Sequence, residues 1–136
     1  MAVLAATLEH EGKTYDAAMC TIERTMLGRE DHGVFMAQLY IDYGGSGTAL
    51  GGHALDDKPA ERKPGSRRLG TAYGMEYIIR LIEVVAGEYG SWENIKGRRV
   101  LALFDPEDNS RDGYKCLGVA DLDGKRVFLF SDLKGM

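Results

Sequence analysis

Residues 33–57 read GVFMAQLYIDYGGSGTALGGHALDD. The first ten alternate cleanly. Phe35, Ala37, Leu39 and Ile41 fall on one face; Val34, Met36, Gln38 and Tyr40 fall on the other. Period-two alternation with one wholly apolar face predicts a half-buried β-strand, its apolar face in the core. The glycines that follow predict a tight reversal. TALGGHAL (48–55) then reads as the returning strand, kinked or bulged at Gly51-Gly52.

The glycine-rich segment also raises the question of a phosphate cradle. A dinucleotide fingerprint fails, because Leu50 stands where the third glycine is needed and no helix follows. A Walker A loop fails because His53 occupies the lysine position. Two readings remain. Gly44, Gly45, Ser46, Gly47 and Thr48 form either a plain β-turn or an anion-binding nest of backbone N–H groups.

Working outward, residues 2–9 and 14–27 flank Glu11-Gly12-Lys13 and predict a hairpin. In its second arm Met19, Thr21, Glu23 and Thr25 share one face, and Cys20, Ile22, Arg24 and Met26 the other. GREDHG (28–33) is a polar turn. Residues 56–68, with two prolines, form a charged surface loop carrying Lys58, Arg62, Lys63, Arg67 and Arg68.

TAYGMEYIIRLIEVVAG (71–87) predicts the one long helix. Thr71 serves as N-cap and Gly87 as terminator, with an apolar stripe of Met75, Ile78, Ile79, Ile82, Val85 and Ala86. Ser91 caps a further short helical turn that Gly97 closes. RRVLALF is a strand, DPEDNSRDG a long polar turn, and two last strands meet at Asp123-Gly124, a strong hairpin signal. The fold class is α+β: mostly antiparallel sheet, one helix packed on it (about 71–87) and a C-terminal β-hairpin, in a single domain spanning 1–136.

Composition narrows the function. A net charge of −4 argues against DNA or RNA, which demand a basic surface. No apolar run reaches the roughly 20 residues of a membrane span. Cys20 and Cys116 read as reduced core thiols in a cytoplasmic protein. His10, His32 and His53 read as surface or turn residues outside any metal set, and no nucleophile elbow surrounds Ser46. Arg67-Arg68 before the helix oppose its dipole unless an anion sits there, held by guanidinium forks and the free N–H groups at 70–72. The alternative is a solvated basic loop. Trp92 either pins a short helix to the core or, at a rim, stacks on a base.

Four segments carry a family resemblance: TIERTMLGREDHGVF, YIDYGGSGTALGGHALDD, RRLGTAYGMEYIIRLIEVV and SWENIKGRRV. Over roughly residues 20–104 the chain resembles the phage Thoeris anti-defense proteins of the first class, which act as anti-Thoeris sponges. The resemblance implies an immune-evasion protein without catalytic activity or cofactor. It would sequester cyclic ADP-ribose isomers in the cytoplasm of an infected bacterium. Some members also take cyclic trinucleotides at separate sites. It further implies homo-oligomers, from dimers to hexamers, with ligands at subunit interfaces. On that basis Arg67 and Arg68 would meet a pyrophosphate, and Tyr73 or Trp92 a base. Copies of the glycine loop, with Arg24, would meet the phosphates of a cyclic trinucleotide about a threefold axis. Departures from the family pattern are an N-terminal extension, TALGG in place of a more aromatic strand, and a tail richer in acidic turns. Two other readings stand beside it: an enzyme that cleaves such signals, and an accessory protein that binds a host protein.

Overall fold

The computed structural model describes residues 5–30, 32–59, 65–108 and 110–136. Its spine is β2 (Lys13–Arg29), 17 residues long. Fully extended, such a strand spans roughly 55 Å, far more than one neighbour covers. Three strands therefore share it. β1 (Ala5–His10) pairs with its first part. β7 (Arg99–Phe104) pairs with residues 16–21 and β3 (Phe35–Asp42) with residues 21–29. Residues 16–18 bond both β1 and β7, and Thr21 bonds both β3 and β7. β1 and β3 thus follow one another along one edge of β2, and β7 takes the other. β4 (Gly47–Leu50), β8 (Gly118–Ala120) and β9 (Val127–Leu129) complete a seven-stranded antiparallel sheet, ordered β4-β3-β2-β7-β8-β9 with β1 beside β2. With one α-helix among the described residues, the protein is α+β, as its patterning predicts.

The β2–β3 register slips between Ile22 and Arg24, where Glu23 is the extra residue of a β-bulge. Side chains alternate strictly along a strand, so one extra residue exchanges the two faces. Before the bulge, Ala18, Cys20 and Ile22 enter the main core. Beyond it Thr25, Leu27 and Arg29 take that side, opposite Leu39, Ala37 and Phe35. Cys20, Ile22, Arg24 and Met26 therefore do not share a face. Arg24 lies outside, its guanidinium 3.6 Å from the centre of the Tyr40 ring. The predicted apolar face of β3 is buried at Ala37, Leu39 and Ile41.

The returning strand stops at Leu50, and at residues 51–55 the chain turns away before the Leu55 N–H rejoins the Phe35 carbonyl at 2.9 Å. There β5 (Asp56–Asp57) and β6 (Leu69–Gly70) pair as a separate two-stranded ladder. Arg62 and Lys63 of this loop lie outside the described residues.

Helix α1 (Ala72–Ala86) begins where Thr71 accepts the Gly74 N–H at 2.9 Å. It ends at Gly87, and Arg126 adds a bond to the Glu83 carbonyl at 3.0 Å. Its buried side is Gly74, Tyr77, Leu81, Val84 and Val85, one position round from the stripe expected from sequence. Met75 and Ile79 instead face solvent, 61 % and 40 % exposed. The helix is apolar over more than half its circumference, so periodicity leaves the rotation open. Close approach settles it: a side chain at Gly74 would overlap the Leu55 carbonyl. Tyr77 then stacks on Phe130 at 5.4 Å and meets Phe128 edge-on.

On the other face of the sheet Tyr15, Ala17, Leu103, Ala120 and Leu129 form a second buried cluster. Leu8 of β1 reaches the β8–β9 turn at Gly124, so the sheet curls over this cluster. That turn is longer than a two-residue Asp-Gly hairpin. Asp121 N–H bonds the Arg126 carbonyl, and the Asp121 carboxylate accepts from Lys125 N–H, leaving residues 122–125 as the loop. Cys20 and Cys116 are both buried and free, and burial pushes each thiol up to about 12.

The rotation of α1 is testable by urea unfolding. Leu81→Ala is expected to cost about 2–5 kcal/mol, and Gly74→Ala about 1–3 kcal/mol from overpacking. Met75→Ala should stay within about 0.5 kcal/mol. A large loss at Met75 with little at Leu81 would restore the other stripe.

Candidate functional site

A cleft of about 570 Å³ opens where the start of α1, the β5–β6 ladder and the β2–β3 end meet. Its centre is Asp56, only 7 % exposed. One carboxylate oxygen accepts from Phe35 N–H at 3.1 Å and Arg68 Nε at 3.0 Å; the other accepts from Arg29 Nη1 at 3.4 Å. Arg68 Nη2 also donates to the Asp56 carbonyl at 3.0 Å. Burial alone would raise the Asp56 pKa. The Phe35 amide and the two guanidinium groups outweigh it and hold the carboxyl below its ordinary value.

Each partner arrives by a separate route. The β2 bulge turns Arg29 inward, and the β5–β6 ladder brings Arg68 alongside Asp56. Arg67, next to Arg68, is exposed, makes no ion pair with a described residue, and lines the cleft. Thr71 donates its hydroxyl proton to the Leu55 carbonyl at 3.0 Å, pinning the helix start there. Thr71 caps the Gly74 N–H, and the N–H groups of Ala72 and Tyr73 have no intrahelical partner. The opposite wall is apolar: Phe35, Leu55, Met75 and Ile78. Three guanidinium groups against one carboxylate leave the cleft cationic. It suits an anionic group attached to an apolar or planar body.

The sequence marks Arg67, Arg68 and the helix start, and the fold brings these together. Asp56 and Arg29 escape that reading, Asp56 because it opens a run of loop-like charges, Arg29 because the bulge reverses its face. Of the five N–H donors of Arg68, three remain after Nε and Nη2 each give one to Asp56, so its fork is shared and not wholly free.

The glycine loop lies elsewhere and is a turn, closed by Tyr43 N–H to the Ser46 carbonyl at 2.9 Å. Gly44 and Gly45 adopt positive φ of 102° and 127° and aim both N–H groups at one point. That point is filled by the Asp42 carboxylate, 3.0 Å from Gly44 N and 2.7 Å from Gly45 N. The nest exists and holds an anion from its own chain. A side chain at Gly47 would come 2.8 Å from the Ile41 carbonyl, and the Thr48 hydroxyl accepts the Gly113 N–H at 3.0 Å.

Arg24, Tyr73 and Trp92 do not line the cleft. Arg24 rests on Tyr40 on the outer face of the sheet. Tyr73 is half-buried, 6.2 Å from Tyr77, and Trp92 is half-buried against the main core. Trp92 starts a single 3-10 turn, where Asn94 accepts from the Ser91 N–H and hydroxyl. His32 is exposed and bonds Glu30. His53 is neither a surface nor a simple turn residue: it is half-buried, edge-on to Phe130 at 4.9 Å, and burial lowers its pKa. Asp56 spends its oxygens on Phe35, Arg29 and Arg68, so Ser46, His53 and Asp56 do not form a triad. Among the described residues no helix is long and apolar enough to cross a membrane. No family model, curated protein or solved structure matches this chain.

Asp56→Ala should cost roughly 1–3 kcal/mol, because Arg68 and the Phe35 amide lose a buried acceptor. Since the folded-state pKa of Asp56 is depressed, its contribution is complete above the ordinary carboxylate pKa and fades as pH falls through the lower folded value. The gap between wild type and Asp56→Ala should therefore narrow on acidification, measured by urea titration at stepped pH. A constant gap would contradict this. At the turn, Asp42→Ala should speed hydrogen exchange of the Gly44 and Gly45 amides while leaving the Arg68 side chain unaffected.

Proposed function

We propose that the protein captures a small cyclic nucleotide-like signal of the cyclic ADP-ribose class and holds it without chemical change. The observation that carries this reading is the cleft itself. Arg67, the outer edges of Arg68 and Arg29, and the helix start offer donors to a pyrophosphate; Phe35, Met75 and Ile78 offer an apolar wall to a base or ribose. The resemblance to phage anti-Thoeris sponges supplies the ligand class and the cellular setting, the cytoplasm of an infected bacterium.

Capture lowers free signal, so the effector that reads it stays silent. This requires protein in amounts comparable to the signal. Homo-oligomerisation fits the exposed apolar side chains of the cleft wall and its neighbours in sequence: Met75 lines the cleft, and Leu27, Leu69 and Ile79, each within two residues of a lining residue, stand 40–49 % exposed. Burying them between copies would remove apolar area from water. A cyclic trinucleotide is a second ligand for such an assembly. Arg24 stacks on Tyr40 on the sheet's outer face, available to a phosphate where copies meet.

The test is retention followed by release. Purified protein is incubated with cyclic ADP-ribose isomers and cyclic oligoadenylates, freed of unbound ligand, then heat-denatured and chromatographed. Intact ligand supports capture, altered ligand supports an enzyme, and no ligand overturns both. Arg67→Ala should weaken retention of the cyclic ADP-ribose ligand about 10–100-fold, the worth of a charge-assisted hydrogen bond. Its urea midpoint should not move, because Arg67 braces no described residue.

A further inference from the structure

A second, smaller hollow of about 250 Å³ lies between the β1–β2 hairpin and the residues near the chain end. Its floor is Cys116, Leu117, Leu129 and Phe130, and its polar rim is Lys13, Tyr15, His53 and Ser131. The Cys116 thiol donates to the Gly118 carbonyl at 3.1 Å and so forms a neutral, apolar base.

The rim is built of groups that the fold leaves without partners. Tyr15 is 6 % exposed as a whole, its hydroxyl is the part that reaches solvent, and that hydroxyl bonds no described residue. The half-buried His53 ring touches Phe130 and Tyr77 only through its faces and edges, and neither nitrogen bonds a described residue. A phenol whose ring is buried and whose hydroxyl opens to solvent is free to bond a ligand. Lys13 stands above the same ring, its Nζ 5.3 Å from the Tyr15 centroid, with no carboxylate partner among the described residues. Convergent unpaired polar atoms above an apolar floor are the ordinary make-up of a small-molecule pocket.

We propose that this hollow binds a small planar molecule bearing one negative charge, an aromatic or heteroaromatic acid. Its ring would lie between Phe130, Tyr15 and Leu129. Its anionic group would pair with Lys13 Nζ. A hydroxyl or ring nitrogen would meet Tyr15 or His53. The volume equals that of about eight waters, which limits the ligand to a single ring or fused pair. None of these residues lines the arginine cleft, so this site stands independently of the proposed nucleotide capture.

Salicylate and its uncharged isostere salicylamide are the probes. Both are titrated into wild type and Lys13→Met, with the imidazole resonances followed by NMR and His53 assigned through His53→Gln. Lys13 is exposed in a turn-flanking position, so its replacement leaves the fold intact. Saturable salicylate binding, at least fivefold tighter than salicylamide, with a shifted His53 resonance, is the expected result. In Lys13→Met the preference should fall to less than twofold. Absence of saturable binding, an unmoved His53 resonance, or a preference that survives in Lys13→Met would each overturn the assignment.

Discussion

The extra residue at Glu23 is the constraint on which the cleft depends. β2 must serve two different cores. Its first part packs Ala18, Cys20 and Ile22 beneath the helix, with Tyr15 and Ala17 on the opposite cluster. A regular strand would carry that alternation on, turning Arg24 and Met26 toward the helix side. The bulge exchanges the faces. It moves Arg24 outward onto Tyr40, and Arg29 inward to Asp56 at 3.4 Å. Without it an arginine would enter the apolar layer beside Leu39, where an unpaired charge is prohibitively costly.

Asp56 completes what the bulge begins. It ties together three segments far apart in sequence: the end of β2 through Arg29, the start of β3 through the Phe35 amide, and the strand before α1 through Arg68. None of these bonds is strong alone, and Arg29 is half-exposed. Converging on one buried carboxylate they restrain one another, because moving any segment leaves the rest poorly satisfied. The same contacts set the cleft's electrostatics. Asp56 keeps Arg68 and Arg29 turned into the cavity while cancelling one of its three positive charges. What remains is cationic but not so concentrated that the arginines drive one another apart.

The strong alternations in the sequence are legible, and the outcome at rotations and registers is not. Phe35, Ala37, Leu39 and Ile41 sit on one face as the pattern requires, because only one register buries the last three and packs Phe35 against them. Thr71 and Gly87 bound the helix because capping is local chemistry. The helix rotation is another matter. Met75, Ile78, Ile79 and Ile82 make as good a stripe as Tyr77, Leu81, Val84 and Val85. What decides between them is the absence of a side chain at Gly74 and the proximity of Leu55, a contact across 19 residues. The site divides the same way. Arg67 and Arg68 are visible because two cations before a helix contradict its dipole. Arg29 is invisible because a bulge leaves no mark in residue type, and Asp56 because burial of one acid in a charged loop is a tertiary outcome.

The glycine loop shows why a correct local reading can still name the wrong occupant. Two glycines at positive φ do make a nest of converging N–H groups. Asp42 is tethered one residue before the turn, so its carboxylate is present at an effective concentration far above that of any free metabolite. A phosphate in solution must displace it, against both the tether and the like charge of Asp42. The cleft differs in kind. There the resident carboxylate is already engaged by two arginines and an amide, and Arg67 stands beyond it with its donors uncommitted. An incoming anion meets an exposed guanidinium and has no protein carboxylate to displace from it. On this comparison the loop is a structural reversal that keeps β3 and β4 in register, and the arginines at the start of α1 are the better placed of the two to meet an external anion.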